Sequence, residues 1–315
     1  MTKFIDPATD FGFKRIFKDE EITRGFLNAL MHREYPDVNI AKVTITDGEI
    51  DETSKETRRV VYDVHCETDT GEEFVIEMQN DSQNFFSERI VFYLSRAASR
   101  QQNKGYMTYA DKSGNEEKTI KKAWDYHLKN IYGVFFMNFK DEAHPKKLSH
   151  FALMETKEHY IDTHVFQYWK IQMPFYREMK ASDCKDDIDK WIFNLSNMSE
   201  METSLSFTKE IPLFMRLEEL ASYSALSPAQ QMQYDDSFHN YVSYHGQMQY
   251  KYDKGRAEGR AEGRVEGRAE GRKEGRAEGI AEGKIATARL MKADGEPAEK
   301  IARYTGLTIE EIQKL

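Results

Sequence analysis

VVYDVHC at residues 60–66 and FVIEMQ at residues 74–79, joined through Asp69, Thr70 and Gly71, decide how this chain is read. Both runs alternate, and a three-residue hairpin loop ends in a left-handed residue, the conformation Gly adopts without steric cost. With Asp69–Gly71 as that loop, Thr68 pairs with Glu72 and Asp63 falls opposite Glu77. Side chains alternate faces along a strand. One face then carries Val60, Tyr62, Val64, Cys66, Phe74, Ile76 and Met78, all suited to a core; the other carries Asp63, His65, Glu67, Glu73, Glu77 and Gln79. Opposed side chains lie about 5 Å apart at Cβ, close enough for two carboxylates to share a divalent cation. A slip of one residue would separate Asp63 from Glu77. The alternative is a half-exposed hairpin whose acidic face is simply solvated.

Outward from the hairpin, DFGFKRIFKDEEITRGFLNALMHR (residues 10–33) spaces Phe13, Ile16, Phe17, Phe26, Leu27 and Leu30 as one or two amphipathic helices. IAKVTITDGEI (40–50) alternates as a strand ending near Gly48. FFSERIVFYLSRAASRQQNK (85–104) reads as a helix stopping before Gly105. On it Arg89, Arg96, Arg100 and Lys104 form one stripe beside an apolar stripe of Ile90, Leu94, Ala97 and Ala98. The basic stripe is either a guide for a phosphate backbone or a solvated helix face. IYGVFFMNF (131–139) reads as a buried strand, and HFALME and HVFQYWKIQMPFY as further strands of the sheet. Beyond about residue 186 the pattern turns helical.

The length of 315 residues allows one large domain or two smaller ones, and 39% hydrophobic and 12% aromatic residues supply a core. Cys66 and Cys184 lack any CxxC spacing, which argues against a structural zinc and for a reducing cytosol. The amino terminus has no apolar signal-peptide run, and IYGVFFMNF is too short to span a bilayer. The expectation is a soluble cytoplasmic protein with no membrane contact. A net charge of −9 does not advertise nucleic-acid binding, but binding depends on where cations cluster rather than on their total.

From Gly255 to Gly283 glycine recurs at every fourth residue in a G-R-A-E unit. Each Gly costs a helix about 1 kcal/mol relative to Ala, and Glu and Arg are not spaced for helix ion pairs. A flexible charged tether and a helix packed against another chain both fit, the second implying a homo-oligomer built through the repeat. In the tail, EKIARYTGLTIEEIQKL has helix–turn–helix character, with a capping box at Thr308 and Glu311; a helical end cap is preferred to a DNA reader. The expected organisation is a domain at 1–180, a helical extension at 181–253, the repeat at 254–283 and a small helical unit at 284–315.

DFGFKRIF, VVYDVHC, EEFVIEMQ, FFSERIVFYLSRAASRQQNKGYMTY, GVFFMNF and the repeat tail, in that order, resemble the Rpn family of recombination-promoting nucleases, also described as PD-(D/E)XK nuclease family transposases. The resemblance implies an α/β, restriction-endonuclease-like PD-(D/E)XK core, a mixed sheet flanked by helices in αβββαβ order. It places Asp63 at the metal-binding Asp, Glu77 at the acidic position of (D/E)-x-K and Gln79 at the Lys position, where Gln offers only a neutral hydrogen bond. Asp10 is a further acidic candidate, and Gln102 and Tyr106 resemble a Q-x-x-x-Y feature that helix-end packing explains equally. The implied activity is Mg²⁺-dependent hydrolysis of DNA phosphodiesters, with Mn²⁺ able to substitute. Asp63 and Glu77 would hold the metal with a backbone carbonyl from the 75–79 strand, and Gln79 would position the attacking water. Arg89, Arg96, Arg100 and Lys104 are the candidate phosphate contacts; His65 is read as a polar-face residue rather than an acid–base group. The rival readings are a catalytically weak or inactive nucleic-acid-binding module and a self-associating scaffold. No residue here points to strand transfer as opposed to cleavage.

Overall fold

The alternation in FVIEMQ becomes a strand whose two rows of side chains are both covered. The computed structural model describes residues 3–46, 61–103, 106–110, 117–121 and 127–315. Its elements run α1 (Asp10–Phe17), α2 (Glu20–Glu34), β1 (Val43–Thr46), β2 (Val64–Thr68), β3 (Glu73–Gln79) and α3 (Phe86–Asn103). Then come β4 (Tyr106–Ala110), β5 (Glu117–Lys121), β6 (Ile131–Met137), β7 (Leu148–Met154) and β8 (Ile161–Gln172). The helices α4 (Met173–Arg177), α5 (Asp187–Asn197), α6 (Leu213–Ala221), α7 (Pro228–Ala293), α8 (Ala298–Thr305) and α9 (Ile309–Lys314) complete the chain. MPFY, read above as the end of a strand, instead opens α4, where Pro174 fits the first turn because its missing N–H would have no helical partner there.

Six strands form a mixed sheet in the order β1-β2-β3-β6-β8-β7, and β4 and β5 pair separately. The first three strands are antiparallel neighbours, whereas β3–β6 and β6–β8 are parallel. The hairpin register follows the turn. Gly71 has φ 86°, its N–H donates to Thr68 O at 3.0 Å, and Val64 faces Ile76 while Glu67 faces Glu73. Continued by one step, that register sets Asp63 opposite Glu77. Gly48, Val60 and Gly105 lie outside the described residues.

One face of the sheet, with Val64, Cys66, Phe74, Ile76, Tyr132, Val134, Phe136, Trp169 and Ile171, packs under α1, α2 and α5. Phe17 and Phe26 meet edge-on at 5.3 Å, and Phe13 meets Phe136 at 5.6 Å, which ties the first two helices to the middle strand. Such pairs add about 0.5–1.5 kcal/mol each beyond their buried area. Thr9 and Asp19 cap these helices by accepting from Gly12 N and Ile22 N, both at 3.0 Å. Gly12 has no substitute, because a Cβ there would lie 2.1 Å from Asp6 O. The opposite face is covered by α3: Ile90, Leu94 and Ala97 pack on Val75, Ile131 and Phe135. Beside them sits Tyr62, which the alternation placed on the first face. The chain bends at Asp63 before β2 begins, so the two-residue period does not carry through to Tyr62.

The chain divides into two compact units, residues 1–241 and 242–315. Residues from Ile188 to Tyr234 contribute to the same core as the sheet. In the second unit the repeat is continuous helix within α7. Residues 246–284 are all exposed, and a Cβ added at any glycine from Gly255 to Gly283 would meet nothing within 4 Å. Like charges fall four apart along the repeat, so neighbouring turns repel rather than pair. Ala288, Ile301 and Ile312 close a small core between the end of α7, α8 and α9. Gly306 makes the turn at φ 72°, and the Thr308–Glu311 capping box opens α9, whose first turn is acidic, unlike a DNA-reading helix.

Candidate metal and nucleic-acid site

Asp63 and Glu77 meet where the antiparallel ladder ends. The Asp63 N–H donates to Glu77 Oε1 at 3.0 Å, and the Met78 N–H donates to Asp63 Oδ2 at 2.9 Å. Asp63 therefore uses its carboxylate where a strand would offer a carbonyl, which is why the bend falls at this residue. One oxygen of each carboxylate is tied to the backbone of the other strand, and the second oxygen of Glu77 lies 3.9 Å from Arg89 Nη2. Glu77 is only 6% exposed, so the solvated-face alternative does not hold for it.

Burial lifts both carboxyls above their ordinary range. For Glu77 the negative charge of Asp63 adds to burial, and the Asp63 N–H, Arg89 and Lys14 offset only part of the rise. For Asp63 the Met78 N–H, Lys14 and Arg89 oppose burial, while Asp10 reinforces it. Two adjacent carboxylates held this way favour sharing a proton or a cation.

The cations come from two helices. Lys14 on α1 forms a 2.6 Å ion pair with Asp10; burial lowers its pKa, but Asp10, Asp63 and Glu77 together outweigh burial and raise it. Arg89 on α3 places Nη2 3.9 Å from Glu77 Oε2. Its Nη1 donates to Gln79 Oε1 at 3.1 Å and to Gln83 Oε1 at 3.0 Å, and its Nη2 donates to the Tyr93 hydroxyl at 2.9 Å. Gln79 is 8% exposed, and its Nε2 donates to Asp81 O at 2.9 Å. Both ends of its amide thus have a protein partner, while its second Nε2–H takes part in neither of these bonds.

The other candidates divide. Asp10 sits near enough to influence Asp63, but its carboxylate is 67% exposed and spent on Lys14. Among the described residues no group of three or more acidic, His or Cys side chains is gathered closely enough to hold an ion. His65 is buried in its own pair, with Nε2 3.0 Å from Glu73 Oε2, Nδ1 against the Thr46 hydroxyl and the ring stacked on Tyr62. Arg96 and Arg100 lie farther along α3, where their charge bears on the Tyr62 hydroxyl. Arg96 Nε and Arg100 Nη1 are buried with no hydrogen-bond partner among the described residues. Lys104 lies outside the described residues, as do the side chains of Gln102 and Tyr106. The sequence reading missed Lys14 and Tyr93; the signals were Asp10 and Lys14 four apart on one helix, and Tyr93 one turn after Arg89. A groove of about 610 Å³ is lined along α1 by Asp10 and Lys14 and along α7 by Gln233 and Ser237; neither Asp63 nor Glu77 lines it.

A mixed sheet with helices on both faces is the architecture the resemblance implied. A family model described as PD-(D/E)XK nuclease family transposase matches residues 7–250. The chain belongs to that family. The match takes in the whole sheet, both faces of covering helices and every site residue named above. Comparison with curated proteins and with solved structures gives no match. Among the described residues no helix is long and apolar enough to cross a membrane.

Proposed function

We propose that this member of the PD-(D/E)XK nuclease family transposases is a Mg²⁺-dependent DNA endonuclease acting in the bacterial cytoplasm, with Mn²⁺ an acceptable substitute. The observation that carries the reading is the Asp63–Glu77 pair, Glu77 buried and Asp63 half-buried, each bonded to a backbone N–H of the other strand, with Arg89 and Lys14 offsetting only part of the rise that burial and mutual repulsion cause in Glu77.

The donor set fits a hard, oxygen-seeking ion. Mg²⁺ is held by one or two carboxylates while keeping several waters and binding substrate phosphate, and this site offers two carboxylates with one oxygen of each outside the strand-to-strand hydrogen bonds. When bound, the ion would supply Lewis-acid activation of water and neutralise charge on the phosphate. Asp63 and Glu77 would hold it, each fixed by a backbone N–H from the opposite strand. The β-strand pairing keeps the two carboxylates at a constant separation, so little reorganisation accompanies binding. In the hydrolysis a water oxygen bonds to phosphorus, the bond from phosphorus to the leaving sugar oxygen breaks, and that oxygen takes up a proton. Lys14 on one side and Arg89 on the other supply positive charge on which an anionic strand would settle.

The test is nicking of supercoiled plasmid by purified protein with Mg²⁺, beside Asp63→Ala and Glu77→Ala. Cleavage that requires metal and falls at least about a thousandfold in both variants supports the reading. Equal cleavage by all three proteins, or DNA binding with no cleavage by the wild type, overturns it.

A further inference from the structure

Gln79 occupies the strand position where a lysine would put positive charge on the reacting phosphate, and its own contacts show where that charge is found instead. Its carbonyl oxygen accepts from Arg89 Nη1 at 3.1 Å and its amide nitrogen donates to Asp81 O at 2.9 Å. These two partners fix the amide orientation, since the reverse would set N–H groups against the guanidinium. Arg89 is further held by Gln83 and by Tyr93, whose ring lies 4.9 Å from its Cζ.

We infer that Arg89 is the catalytic cation acting on the scissile phosphate and that Gln79 is a positioning residue that holds it beside Glu77; this rests on the phosphodiesterase reading above. Of the five guanidinium N–H groups, Nη1 spends two on Gln79 and Gln83 and Nη2 spends one on Tyr93. Among the described residues the Nε–H and one Nη2–H have no hydrogen-bond partner, and the side chain is 35% exposed, so a phosphate can reach it. Those two donors make a fork suited to two non-bridging phosphate oxygens. Nη2 stands 3.9 Å from Glu77 Oε2, which puts the fork against the metal-binding carboxylate. A neutral acceptor at position 79 is then a requirement: a lysine there carries only donors and would repel the guanidinium.

The test compares Arg89→Gln, Arg89→Lys, Gln79→Lys and the exchange Gln79→Lys with Arg89→Gln, each checked for wild-type melting temperature. Two readouts are taken: kcat and KM for duplex DNA cleavage with Mg²⁺, and the salt dependence of DNA affinity without divalent metal. Arg89→Gln is expected to lower kcat about a hundredfold or more with little change in KM, and to reduce the salt slope by about one. Arg89→Lys regains part of the loss in kcat. Gln79→Lys alone lowers kcat at least about tenfold, and the exchange recovers about tenfold over Arg89→Gln because a cation returns to the strand. A rise in kcat for Gln79→Lys, with Arg89→Gln at wild-type rate and slope, overturns the inference while leaving the nuclease reading intact. Should the wild type fail to cleave, the nuclease reading falls, and the salt slope alone decides whether Arg89 contacts phosphate.

Discussion

Asp189 on α5 and the Asp63–Glu77 pair at the end of the β2–β3 hairpin are both drawn out of water, yet their surroundings treat them in opposite ways. Asp189 is fully buried, with Arg33 Nη2 at 3.0 Å, Lys147 Nζ at 2.7 Å, the Lys185 N–H at 3.1 Å and the Tyr176 hydroxyl at 3.2 Å. Burial alone would raise its pKa, but the bonds from Lys147 and Lys185 and the charge of Arg33 overcome it and hold the carboxyl below its ordinary range. Asp63 and Glu77 have two backbone N–H groups, each other's charge, and a guanidinium 3.9 Å away. The charge of one carboxylate is matched within the fold, while that of the pair is matched only in part. The cations around Asp189 more than offset its burial, whereas Arg89 and Lys14 offset only part of it for the pair, and that difference is what the proposed metal ion would make up.

The largest effect comes from breaking the matched site. Asp189→Ala leaves two cations without their shared partner and should destabilise the protein by about 3 kcal/mol in urea unfolding, while DNA cleavage below the melting transition stays intact. The partly matched site should answer with the opposite sign. Glu77→Gln keeps an acceptor for the Asp63 N–H and removes the repulsion, so without metal at pH 8 it should be more stable than wild type by on the order of 2 kcal/mol. The sign follows from the raised folded-state pKa. Between the unfolded pKa near about 4.3 and the folded value, the folded state binds more protons, so wild-type stability falls as pH rises. The advantage of Glu77→Gln should therefore vanish at pH below about 4. Asp189 runs the other way: its contribution is present above the unfolded pKa and is lost as pH falls through the depressed folded value. A variant Glu77→Gln that is less stable than wild type at pH 8 would remove the contrast.

Two smaller predictions extend the comparison to exposed positions. Gly267→Ala in the repeat should strengthen the α7 helix by about 1 kcal/mol in far-UV circular dichroism melts and leave DNA cleavage unchanged. Lys140→Ala, which removes an exposed ion pair with Glu178 at 2.6 Å, should cost less than about 1 kcal/mol in urea unfolding.

The hairpin was legible in the sequence because one glycine set the turn and a period of two set everything that followed, including Asp63 opposite Glu77. The β6 strand and the apolar stripe of α3 were legible for the same reason: a repeated spacing names the buried face. Three features were not legible. The acidic face of β3 looked fit for water, and only the docking of α3 buries it. Tyr62 changes face because the chain bends at Asp63, which no alternation rule reports. The link from Gln79 to Arg89 joins residues ten apart across a strand–helix connection, and it depends on how closely the helix approaches the strand. In the repeat, propensity argued against a free helix, and the chain is helical there with no packed neighbour at its glycines.

The most direct measurement is calorimetric titration of Mg²⁺ into the metal-free protein at pH 8, run with wild type and Glu77→Gln. The account predicts binding to the wild type with release of protons, and loss of that binding in Glu77→Gln although the variant is the more stable protein. Identical binding curves for the two proteins, or no binding to the wild type, would contradict the claim that Asp63 and Glu77 are left unbalanced for a metal ion.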